Sequence, residues 1–280
     1  AFRLQIARAF APQLRFNAFY PGNSSLQNRS EDLFPMGVAS FFSEIHNGQA
    51  RVLVQGSHGT TPGLSQQRTV GAPASMSTRE IGPYPAGMVG DAPGAAPLYI
   101  NLYEEPTART LDSQGRGEIV VHAEYWIFYP QDRADVQILG LSTQLLNDPF
   151  GHQGDWEHVA LRLRLRLGQS SRFLDGQVEE GYFAAHGDVF RTQAPELELV
   201  DDLGAPDPNG SHPVVYVAQG KHGSYPQAGE RQRVPAPSWL ANYVDFFRGN
   251  GVRVDAWSGS FFDLEDPTAA PQEFNSPEFQ

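Results

Sequence analysis

The residues best suited to chemistry lie in Gly151-His152-Gln153-Gly154-Asp155-Trp156-Glu157. Downstream, Val159, Leu161, Leu163, Leu165 and Leu167 alternate with Ala160, Arg162, Arg164 and Arg166, which predicts a strand over 155–167 with one core face and one wet face. Residues two apart in a strand share a face, so Asp155 and Glu157 continue the leucine face. They stand roughly 7 Å apart along the strand. Two such carboxylates repel each other and resist desolvation, and they need a cation, a shared proton or open solvent. His152 lies just upstream, where Gly151 and Gly154 permit sharp bends. A divalent ion held by carboxylates, an imidazole and water would satisfy the group, and so would a strand end emerging into water.

These residues must be held by a β-rich frame. Residues 118–129 predict a second strand covered on both faces, with Ile119, Val121, Ala123, Tyr125, Ile127 and Tyr129 opposite His122, Glu124, Trp126 and Phe128. Further strands are expected at 13–16, 51–55, 98–103, 182–186 and 214–218. Helices are expected at 2–10 (Leu4, Ile6, Ala7 and Phe10 inward), 36–46 and 238–248. Strands without intervening crossover helices indicate a mainly β fold, an antiparallel β-sandwich with a few peripheral helices and long loops. The 28 Gly and 22 Pro fit short strands and long turns. Residues 1–280 are expected to form a single domain, with 56–97 a long rim loop and 266–280 a loosely held tail.

Composition narrows the function. Acidic residues outnumber basic ones 32 to 20, for a formal charge of −12, the opposite of a general nucleic-acid binder. The absence of cysteine excludes thiol catalysis, thiolate-bound zinc and disulfides. No apolar run is long enough for a transmembrane helix. The opening Ala1-Phe2-Arg3 reads as a mature or trimmed chain, and a secreted or extracellular location is the expectation. There are 19 Arg and a single Lys, Lys221.

Tyr125-Trp126-Ile127-Phe128-Tyr129-Pro130, Gly151–His158, His212-Pro213-Val214-Val215-Tyr216-Val217-Ala218 and His222-Gly223-Ser224-Tyr225-Pro226 resemble the successive signatures of the vacuolar-protein-sorting "sixty-two" domain family. Phe10–Phe16 and Leu33-Phe34-Pro35 fit that family's opening. Residues 151–157 are also similar to the Gly-His-Arg-His-Asp-Trp-Glu heptapeptide of the necrosis- and ethylene-inducing peptide-like proteins. Those are secreted β-sandwich cytolysins that hold a divalent cation and bind sphingolipid sugar headgroups. That likeness implies His152, Asp155 and Glu157 as metal ligands, with Asp132 as the fourth. The motif's second His is Gly154 here, and the stretch between Asp132 and His152 is longer.

Two functions follow as expectations. One is a secreted divalent-metal module, toxin-like, that recognises a saccharide or glycolipid headgroup, with Trp126, Trp156 or Tyr225 as stacking partners. Calcium or magnesium is expected first, and the imidazole admits manganese or zinc. The other is a metal-assisted hydrolase or lyase acting on a saccharide or ester, with His186, His222 or Lys221 as acid or base. His122 and Glu124 share a face and could back the site; His158 should face away with Trp156 and the arginines. Two acids on one strand face do not flank a bond from opposite sides, which argues against a metal-free glycosidase.

Overall fold

The structure is a computed structural model that describes residues 2–17, 34–38, 40–41, 52–55, 65–68, 77–79, 90–132, 135–138, 141–144, 152–185, 188–235 and 242–265. Its largest sheet has six strands in the order Asp188–Gln193, Phe173–Ala185, His152–Leu167, Gly117–Asp132, Leu98–Glu104 and Phe261–Asp263. The two strands expected from alternation are therefore neighbours. They pair antiparallel from Gly117 opposite Leu167 to Asp132 opposite His152. A second sheet runs Leu199–Val200, His212–Val217, Gln13–Arg15, Arg253–Asp255, with Ser224–Tyr225 beside His212–Val217.

The inner faces of the two sheets share one core. Tyr125, Ile127, Val159, Leu161, Leu163 and Leu165 pack with Leu14, Val215, Val217 and Val254. Helix Phe2–Ala9 joins the same core through Ile6 and Ala7, with Phe10 following. The result is the expected mainly β, sandwich-like fold. It is not wholly antiparallel: Gln13–Arg15 pairs parallel with His212–Val217, and Phe261–Asp263 with Leu98–Glu104. Leu4 departs from the expected inward position and lies over a third exposed.

Within the expected helix 238–248, Asn242–Phe247 is instead a strand that pairs with Gly229–Pro235 on one side and Asp135–Ile138 on the other; 238–241 lie outside the described residues. The aromatic and β-branched run over 243–247 suits a pleated surface; Gly229–Pro235 pairs along the whole strand and Asp135–Ile138 with Asn242 and Tyr243. The 56–97 stretch is not wholly loop. Ser65–Arg68 and Ser77–Arg79 flank Val52–Gln55 in a small sheet. Of the helix expected at 36–46, Val38, Ser40 and Phe41 are helical; 42–50, the tail 266–280, His46 and His58 lie outside the described residues.

The outer face of the large sheet is a ladder of ion pairs. Arg162 joins Glu105 and Glu179, Arg164 joins Glu179 and Glu118, and Arg166 joins Asp175. Exposure rises along the row, from 25% of the Arg162 side chain to 63% of Arg166. Ion pairs in water contribute little, whereas Arg162 holds two carboxylates that would otherwise repel. The triple variant R162Q/R164Q/R166Q should still unfold in one cooperative transition. Singly, R166Q should leave the urea midpoint unchanged and R162Q should lower it. Loss of cooperativity in the triple variant would show that the core depends on this face.

Candidate functional site

At one end of the long hairpin the apolar stripe turns polar. Ile127 pairs with Glu157 and Tyr129 with Asp155, and directly paired residues project to one side. Glu157 is buried and Asp155 nearly so, on the core face that sequence phase predicts. Gly154 has a φ of +69°, a conformation open to glycine, between the Tyr129–Asp155 and Gln131–Gln153 pairs. The pairing keeps one register through this point and sets Asp132 opposite His152.

The turn after strand His212–Val217 covers this end. His222 N–H donates to Ala218 O (2.8 Å), Ala218 N–H to Gly223 O (2.9 Å), and Gln219 N–H to Phe246 O (2.9 Å). This tight path puts His222 at φ +56°. For a residue with a Cβ that conformation costs roughly 1–2 kcal/mol, and such strain collects at functional sites. The fully buried His222 ring stacks on Tyr129, with centroids 3.9 Å apart and planes 4° apart.

Two adjacent turn residues reach two carboxylates. Lys221 Nζ donates to Asp132 Oδ2 at 2.8 Å, and His222 Nδ1 lies 3.5 Å from Asp155 Oδ2. The sole lysine of the chain is thus the counter-charge of a buried aspartate. The second contact is close without being a hydrogen bond. Among the described residues, Asp155 Oδ2, both His222 ring nitrogens and Ser224 Oγ are buried with no hydrogen-bond partner. Each such group costs about 1–3 kcal/mol unless an ion or water satisfies it.

Carboxylate oxygen and imidazole nitrogen together are a donor set for a divalent ion. Among the described residues no group of three or more His, Asp or Glu stands close enough to hold a metal. The His152 side chain and all of His186 lie outside the described residues.

The remaining candidates are spread over both sheets. Trp126 stacks on His158 (4.3 Å, 21°) on the outer face, where burial lowers the His158 pKa, with Glu124 opposing. Trp156 is 37% exposed and meets Tyr99 edge-on and Phe128 at a tilt. Tyr225 is buried, stacked on Phe247 (3.7 Å, 6°), with its hydroxyl on Asp245. His122 and Glu124 do not back the site. They lie on the outer face, engaged with Tyr103 and Glu105 and with Asn101 and Trp126, respectively. Glu124 is five positions from Tyr129, roughly 17 Å along the strand.

Tyr129 and Ser224 were not singled out from sequence. Tyr129 reads as one more apolar residue of its stripe, and its position opposite Asp155 is the signal that could have marked it.

Residues 115–234 match the family model described as Vacuolar protein sorting-associated protein 62. The matched segment contains the whole hairpin end and the 218–225 turn, and it bears out the resemblance to the vacuolar-protein-sorting family carried by the motifs from Tyr125 to Pro226. No curated protein and no solved structure matches the chain.

The Lys221–Asp132 pair generates a test. Removing one partner of a buried pair costs about 3 kcal/mol or more. K221M should therefore lower unfolding stability in urea by about that amount, and adding D132N should recover part of it. Equal stability of K221M and wild type would show that the pair contributes nothing.

Proposed function

We propose that this chain is a divalent-cation-binding β-sandwich module whose cation sits between Asp155 and His222 and engages an oxygen-rich ligand, a saccharide or glycolipid headgroup. The supporting observation is the cluster of buried atoms at Asp155 Oδ2 and on the His222 ring that have no hydrogen-bond partner among the described residues. An ion bound there would convert several uncompensated polar groups into ligands at once. The heptapeptide likeness would add Glu157, His152 and Asp132 to the set, and the secreted, toxin-like setting comes with that likeness. When bound, the cation would supply Lewis acidity and coordination positions for ligand oxygens. The chain's own contribution is to hold Asp155 and the His222 ring in place, the ring by its stacking on Tyr129. Manganese and zinc accept imidazole readily, while calcium and magnesium favour the carboxylates.

A second reading has its own support. A histidine beside a carboxylate, held in strained backbone, is also the arrangement of a general base and its orienting acid. With Lys221 next to it, and with His186 by the sequence expectation, the same end of the hairpin would serve a metal-assisted hydrolase or lyase acting on a saccharide or ester.

Thermal unfolding after chelation, then with calcium, magnesium, manganese or zinc, tests the cation. At a hundredfold excess over the dissociation constant a single site should add about 2.7 kcal/mol of stability. D155N and H222N should each remove most of that increment and stay folded, since asparagine tolerates the left-handed backbone of residue 222. A wild type that holds no metal and responds to no ion would overturn the proposal.

A further inference from the structure

A second polar concavity lies on the outer face of the large sheet. It has a volume of about 470 Å³ and is lined chiefly by Arg162, Gln177, Glu179, Glu180, Arg191 and Gln193. That is within the size range of small-molecule sites. A register shift between Val178 and Glu180 lies within its lining. Strand Phe173–Ala185 carries one extra residue there, so two successive glutamates reach the outer ladder: Glu179 meets Arg162 and Arg164, and Glu180 meets Arg191. Bulges of this kind re-aim side chains beside binding sites.

Glu180 is the anchor. It is only 3% exposed and accepts hydrogen bonds from Arg191 Nε, Gln193 Nε2 and the Tyr182 hydroxyl. The Arg191 hydrogen bond is the largest influence holding its carboxyl below the usual range, against burial. This anchoring orients Arg191 from behind. Its Nε is committed to Glu180, and its guanidinium lies 5.9 Å from the Tyr182 ring centroid. Even so, 66% of the Arg191 side chain is exposed. A guanidinium has five N–H donors, and one held by its Nε still offers terminal donors in the fork that matches a carboxylate.

Gln193, with its amide nitrogen on Glu180, still has a carbonyl oxygen to accept with, and Gln177 is exposed. Formal charges around the concavity cancel, Arg162 and Arg191 against Glu179 and Glu180. Glu179 and Glu180 repel a dianion about twice as strongly as a monocarboxylate. A monocarboxylate can pair with the oriented guanidinium, and its neutral hydroxyls can meet the amide groups.

We propose that this concavity binds a small hydroxylated monocarboxylic acid, of the size and chemistry of a uronic acid sugar, through Arg191. Arg162 lies seven positions from Asp155 on the same strand, roughly 23 Å away. The site is therefore separate from the Asp155–His222 cluster and does not depend on a metal.

The test is titration of the full chain by amide NMR, in buffer containing a chelator, with galacturonate, galactose and acetate as probes. Galacturonate should give saturable shifts around 177–193. Acetate should bind about tenfold more weakly, because it lacks the hydroxyls, and galactose should not saturate. R191Q should abolish the response, and R191K should not restore it, because an ammonium lacks the planar fork. Q177E, at an exposed position, guards against misfolding of R191Q and should weaken binding by adding a like charge. Absence of saturable galacturonate binding, equal binding of galactose, wild-type binding by R191Q, or undiminished binding by Q177E would each overturn the proposal.

Discussion

The pairing of Gly117–Asp132 with His152–Leu167 governs the rest of the molecule. One antiparallel register, held over the full length of both strands, sets which side chains enter the sandwich and which face outward. On the inner side it builds the leucine–valine stripe and carries it past the core, so that Asp155 and Glu157 follow in the same phase. On the outer side it aligns the arginines of one strand with acids on its neighbours. A slip of one residue would exchange the two faces and destroy both.

The inner end of this ladder is held closed by a turn whose backbone is itself strained. His222 adopts a left-handed conformation, with its ring flat against Tyr129 and its Nδ1 close to Asp155. Neighbouring Lys221 neutralises Asp132 directly. The two contacts differ in kind. One is a completed ion pair; the other places buried donor and acceptor atoms side by side without joining them. That difference is why the proposed cation is placed at Asp155 and His222, while Lys221 acts as a resident counter-charge.

Strand content and the phase of Asp155 and Glu157 were legible in the sequence, because period-two alternation over 155–167 leaves little freedom. Residues 242–247 were misread as helix. Their aromatic spacing fits both periods, and only pairing with Gly229–Pro235 and Asp135–Ile138 decides between them. His122 and Glu124 were placed near the site because they share a face. Face without distance was insufficient, since they lie several residues back along the opposite side. The Lys221–Asp132 and His222–Asp155 contacts join segments 89 and 67 positions apart, and no local pattern encodes such a meeting. The bulge at Glu179 was equally hidden, because a doubled glutamate reads the same in a regular strand.

The central claim is that the unjoined Asp155 and His222 atoms form the nucleus of a cation site. Crystals grown with manganese, with anomalous diffraction recorded above and below the manganese edge, test it most directly. The account predicts one anomalous peak within coordination distance of Asp155 Oδ2 and a His222 ring nitrogen, absent from crystals of D155N. Ordered water alone between these atoms, with manganese found only on the acidic outer surface, would contradict it.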